Sequence, residues 1–89
     1  MNKGKQRIDR SKPAFDRRLG AVRIAVWENE SDDGSLWWNV SLVRRYKDGD
    51  EWKETGTFNG LADLALVKEA VNLAAAWITA RETTTRELE

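Results

Sequence analysis

The chain has 89 residues, with 15 Lys and Arg balanced by 15 Asp and Glu, and it contains no cysteine and no histidine. That size allows one small domain, and the composition excludes a disulfide framework, an ordinary zinc site and histidine general-base catalysis. No apolar run approaches the roughly 20 residues of a membrane span, and no apolar segment follows the positive charges at the start. The expectation is a cytoplasmic protein, neither secreted nor membrane-inserted.

The neutral total hides an asymmetry: seven cations against two acids give residues 1–18 a charge of +5, and the other 71 residues carry −5. Residues 1–14 hold almost nothing apolar and close at Pro13, which predicts a disordered basic arm that cannot offset its own ordering entropy. The arm reads either as a solubilising leader or as a segment that contacts phosphates.

A single β-β-β-β-α domain is predicted over residues 15–80. "KPAFDRRLG" can supply an edge strand. In "LGAVRIAVWENE", residues 19–30, Val22, Ile24 and Val26 alternate with Arg23, Ala25 and Trp27, the period-two pattern of a half-buried strand. "ESDDGS" carries hairpin-loop chemistry. The returning strand "LWWNVSLVRRYK" sets Leu36, Trp38, Val40 and Leu42 against Trp37, Asn39, Ser41 and Val43. An Asp-Gly pair in "KDGD" predicts a tight hairpin leading into "EWKETGTF", where Gly56 marks a bulge or a weak point. After Asn59-Gly60, "LADLALVKEAVNLAAAWITARE" repeats Leu64, Val67, Val71, Ala74 and Ile78 at helical spacing, and residues 81–89 are expected to fray. The fold class is therefore α+β: a curved antiparallel sheet of three to four strands followed by one C-terminal amphipathic helix.

One helix covers one face of a small sheet. Val22, Ile24, Val26, Trp38, Val40, Leu42 and Phe58 are expected to meet it. The opposite face is left with Arg23, Trp27, Trp37, Asn39, Ser41, Arg45, Lys47, Lys53, Thr55 and Thr57, a mixture of rings, cations and small hydrogen-bonding groups. Such a mixture stacks bases and tracks a phosphate backbone, although Trp pairs and long cationic stems also cover sheets for structural reasons alone. Strand parity leaves Trp52 open, inward or outward. Leu61, Leu66, Leu73 and Trp77 widen the apolar surface of the helix beyond one stripe. They point either to a homodimer interface, through Leu66, Leu73 and Trp77, or to packing over the sheet edge.

The segments "LGAVRIAVWE" and "NVSLVRRYKDGDEWKETGTF", followed by one long helix, resemble the DNA-binding domain of the positive-cofactor-four transcriptional coactivators and their bacterial and phage relatives. The likeness covers residues 15–80. Its motifs are Gly20 and Arg23 opening a strand, Arg44 and Tyr46 as Arg-x-Tyr, an acidic-glycine turn and a Lys-bearing strand. It implies a four-stranded sheet and one helix, dimerisation through the helices, and single-stranded DNA on the sheet, with Arg23, Arg45, Lys47 and Lys53 as backbone-contacting cations. Glu30 and Lys47 stand where the family has stacking aromatics, so stacking passes to Trp27, Trp37 or Trp52. No catalytic constellation, cofactor motif or metal site is found: Asp32 with Asp33 and Asp48 with Asp50 lie in glycine-containing turns, where solvated acids are ordinary. The expected function is single-stranded nucleic-acid binding by a homodimer, without strong sequence specificity, in transcription or replication. The alternative is a small homodimeric protein-interaction module.

Overall fold

The structure, a computed structural model, describes residues 11–88, with side chains described through residue 83. Most of the basic arm, residues 1–10, lies outside the described residues. Strands β1 (Phe15–Leu19), β2 (Val22–Glu30), β3 (Leu36–Asp48) and β4 (Glu51–Thr55) precede one helix, α1 (Gly60–Leu88). The strands form one antiparallel sheet in the order β1-β2-β3-β4. The edge strand within "KPAFDRRLG" is present, and the Ala14 N–H extends its pairing by donating to the Val26 carbonyl at 2.8 Å.

Turn chemistry sets the register. Asp48 pairs with Glu51, so β3 and β4 are joined by Gly49 and Asp50, and Gly49 takes the φ of +64° that a two-residue hairpin of this kind requires at its first position. In the β2–β3 loop the Asp33 carboxylate accepts from both the amide and the hydroxyl of Ser35. Those bonds hold its pKa below the ordinary carboxylate value. β4 stops at Thr55, earlier than its sequence pattern suggests, because the Thr55 hydroxyl takes the Thr57 amide and the chain turns away at Gly56.

Val22, Ile24 and Val26, the inward half of the β2 alternation, are fully buried against Ala70 and Ala74 of α1. Two alanines at the contact let the helix approach the sheet closely. Leu66 then reaches the β1–β2 turn, where a Cβ at Gly20 would stand 3.3 Å from Leu66 Cδ1. At the other end of the contact the Trp77 ring lies 5.5 Å from Phe15 and meets Trp38 edge-on at 5.4 Å, within the range of favourable aromatic pairs.

This seating bears out part of the expected stripe, since Val67, Ala74 and Ile78 face the core, and differs from it in the rest. Leu66 and Trp77, assigned from the sequence to a dimer interface, pack against the chain's own core, and Leu73 on the same side is half-buried. Leu64 and Val71, assigned to the sheet, are exposed. Leu66, Val67, Trp77 and Ile78 flank the two alanines on the buried side, so the helix fills the wedge above β1 and β2 with members of both apolar stripes.

The helix also continues past residue 80. Arg81 Nη2 donates to the buried Glu28 carboxylate at 2.9 Å, and Trp38 Nε1 donates to Glu82 at 3.1 Å. The Arg81 guanidinium stacks over Trp77 and Trp38 as it does so. These bonds tie residues assigned to a frayed tail to β2 and β3. At the opposite end, Arg44 Nε donates to the Thr57 carbonyl at 2.9 Å and lies 3.6 Å from Asp63, whose carboxylate accepts the Asn59 amide at 2.7 Å. The start of α1 is thus fastened to β3.

The helix lies over β1 and β2 and leaves the same face of β3 partly bare. Val40 is 50 % exposed, and an apolar groove lined by Ile24, Val40, Val71, Ala74, Ala75 and Ile78 runs beside the helix. Among the described residues no helix is long and apolar enough to cross a membrane.

Candidate nucleic-acid interface

Successive side chains leave a strand on opposite faces, so the register determines which residues share the helix-free side. Trp27 pairs with Asn39, Ala25 with Ser41 and Arg23 with Val43. Arg45 and Lys47 continue the same side of β3. Arg23, Trp27, Trp37, Asn39, Ser41, Arg45 and Lys47 therefore stand together as expected. Trp37 pairs with Asn29, which makes Trp27 and Trp37 diagonal neighbours near the β2–β3 loop, a spacing that aromatic rings can bridge. Trp37 is 48 % exposed and Trp27 is half-buried.

Three expected residues fall elsewhere, Thr57 because β4 ends at Thr55, and Lys53 and Thr55 by parity. Lys53 pairs with Tyr46 and Thr55 with Arg44, so both belong to the helix-side parity, and the Lys53 ammonium is held at 2.9 Å by Asp48. The cause is the two-residue turn, which sets even-numbered residues of β4 beside odd-numbered residues of β3. The same parity resolves Trp52. It lies on the helix-free face, paired with Lys47 and 58 % exposed. The Arg45 guanidinium sits 4.4 Å from its ring centroid and the Lys47 ammonium 5.6 Å, both within cation–π range. Arg18, absent from the sequence assignment, pairs with Arg23 and is exposed on this face. The signal for it was the "DRR" of the edge strand, where Asp16 and Arg18 alternate with Arg17.

Arg23 differs from the other cations. Its Nε and Nη2 donate to the two Asp16 carboxylate oxygens at 2.9 and 2.8 Å, and Glu54 lies 3.8 Å away. The guanidinium holds the Asp16 pKa below its ordinary value, chiefly through the side-chain hydrogen bond, and the carboxylate raises that of Arg23. The centre of the face is thus internally neutralised. Towards β4 it offers cations over an indole with Glu54 across from Arg45, and towards the β2–β3 loop it offers indoles beside Asn39. Flat apolar rings, planar amides and ammonium or guanidinium groups can contact bases and phosphates without any bond being made or broken.

No family model, curated protein or solved structure matches the chain. The resemblance to the positive-cofactor-four domain therefore stands on the quoted residues alone.

Proposed function

We propose that the helix-free face of the sheet binds single-stranded nucleic acid, DNA on the sequence resemblance, without strong sequence specificity. The observation that carries this reading is the exposure of Trp37 and Trp52 on a face that, among the described residues, no helix covers, with Arg45 and Lys47 stacked on the Trp52 ring. Unpaired bases offer π-faces to such rings, whereas paired bases keep theirs stacked on each other. Binding of this kind suits a role in transcription or replication.

The reading includes a homodimer, with its interface moved from Leu66, Leu73 and Trp77 to the opposite flank. Leu64 and Val71 of the helix and Leu36 and Val40 of β3 are all exposed, and the helix spans only half of a four-stranded sheet. A twofold arrangement lets the helix flank of each copy cover the bare β3 of the other. A protein-interaction module is the second reading, favoured by the same apolar flank and by the place of Trp and Arg in protein hot spots.

Anisotropy titration of a fluorescein-labelled 12-nucleotide single strand and its duplex, at 50 and 200 mM salt, separates the two. The nucleic-acid reading predicts tighter binding of the single strand and a clear loss of affinity at the higher salt. Absence of binding to both oligonucleotides would leave the protein-interaction module as the better account.

A further inference from the structure

Resting on the proposed single-strand binding, we infer that the helix-free face holds two unlike anchors, one for bases and one for phosphates, so that its ligand must be long enough to span both. The base anchor is Trp27 and Trp37 with Asn39, and among the described strand residues this end of the face carries no charged side chain, Asp32 and Asp33 lying in the loop beyond it. The phosphate anchor is Arg45 and Lys47 over Trp52, with Glu54 across from Arg45.

Between the two anchors lie Ala25, Ser41 and Arg23. Among the described residues the cations at this level are Arg23 and its β1 register partner Arg18. Arg23 donates to Asp16 at 2.9 and 2.8 Å with Glu54 3.8 Å away, and Arg18 stands at the sheet edge, two strands from β3. The middle of the face therefore offers passage rather than grip. Along β3, Trp37 and Arg45 are eight residues apart, roughly 26 Å at about 3.3 Å per residue. A strand at the ~3.4 Å per nucleotide of a stacked helix crosses that distance in about eight nucleotides, and a stretched strand in roughly half as many. A tri-nucleotide reaches one anchor only.

The division has a thermodynamic signature. Counterion release follows the phosphates neutralised, with a slope near −0.7 per contact for single strands, so salt dependence belongs to the Arg45–Lys47 end. Stacking on Trp37 contributes affinity without contributing slope.

The test titrates labelled oligothymidylates of 3, 6, 8 and 12 nucleotides against the full chain, Trp37→Ala, and the double variant Arg45→Gln with Lys47→Gln, each from 50 to 200 mM salt. Circular dichroism checks that all three proteins are folded. The expected result is a steep rise in affinity between 3 and about 8 nucleotides and little gain beyond. Trp37→Ala lowers 12-nucleotide binding about tenfold with the salt slope unchanged. The double variant flattens that slope by about 1.4. Equal affinity for 3 and 12 nucleotides overturns the two-anchor inference while leaving single-strand binding in place, and so does a Trp37→Ala variant that flattens the slope as far as the double variant does. Failure of every length to bind overturns both.

Discussion

Trp37 and Trp38 are neighbours in the chain, and β3 sends them to opposite faces of the sheet. Trp38 meets Trp77 edge-on, donates its indole N–H to Glu82 and lies under the Arg81 guanidinium. Trp37 is 48 % exposed, with an asparagine across from it. One face therefore uses its indole to join sheet to helix, and the other keeps its indole available. The lesson is that tryptophan content alone does not distinguish a core from a binding surface. What does is the parity of each ring against a strand that has one fully buried side, which here is Val22, Ile24 and Val26.

Substitutions that affect one face and spare the other sharpen the comparison, and the largest effect belongs to the covered face. Trp77→Ala removes the ring between Phe15 and Trp38, and chemical denaturation should record a loss of roughly 3–5 kcal/mol, the usual range for a core aromatic truncation. Trp37→Ala should cost no more than about 0.5 kcal/mol, as an exposed substitution does. Equal losses would mean that the two faces are not distinct.

Arg81→Ala comes next. Glu28 lies on the covered face with a side chain 2 % exposed and ion-paired to Arg81 at 2.9 Å. Removing the guanidinium leaves a carboxylate buried without that partner and strips a cation from two indoles. Since Arg81 is itself 46 % exposed, the expected loss is about 2 kcal/mol, below the range for a fully buried pair. The paired variant Glu28→Gln with Arg81→Gln should recover part of it in the same denaturation experiment.

A smaller effect is expected at the bare flank. Val71→Glu places a charge on the apolar strip beside Val40, and sedimentation should show a shift towards monomer of at least tenfold in dissociation constant, about 1.4 kcal/mol. Leu61→Glu, at the more exposed start of the helix, should shift it less. A parent chain that is monomeric at high micromolar concentration contradicts the proposed dimer.

The smallest effect is the pH response of the helix-free face. Arg23 lowers the Asp16 pKa from its ordinary 3.8, so the folded state binds that proton less readily than the unfolded state. The stability this confers is fully present above about pH 4 and is lost as the pH falls through the lower folded value. With Asp16 and Arg23 side chains 44 % and 31 % exposed, solvent screening limits the contribution to roughly 0.5 kcal/mol. Thermal melts of Asp16→Asn should accordingly differ from the parent near pH 6 and converge with it near pH 2.

The order of elements and the two faces of β2 and β3 were legible because large apolar residues recur at every second position, Val22 to Val26 and Leu36 to Leu42. The face of β4 was legible in principle, since any two-residue turn through Asp48 and Gly49 or Gly49 and Asp50 puts Trp52 outward and Lys53 inward. The mixed composition of Trp52, Lys53 and Glu54 masked it. The Glu28–Arg81 pair also left a trace, an acid at a core-parity position of β2 that needs a cation from elsewhere. The roll of α1 was legible only in part: Val67, Ala74 and Ile78 face the core as their spacing indicates, but both Leu64 with Val71 and Leu66 with Trp77 extend that stripe. The choice between them is made by Gly20 receiving Leu66 and by Phe15 and Trp38 enclosing Trp77, contacts between segments distant in the chain.

The five tryptophans allow the most direct test of the central claim. In the nitrogen-15 correlation spectrum each indole N–H is a separate reporter, two on the covered face and three on the other. Adding a 12-nucleotide single strand should shift the indole signals of Trp27, Trp37 and Trp52 and leave those of Trp38 and Trp77 in place. Movement of Trp38 and Trp77 with the other three unchanged would put the ligand on the wrong face, and a spectrum unchanged at saturating oligonucleotide would contradict single-strand binding altogether.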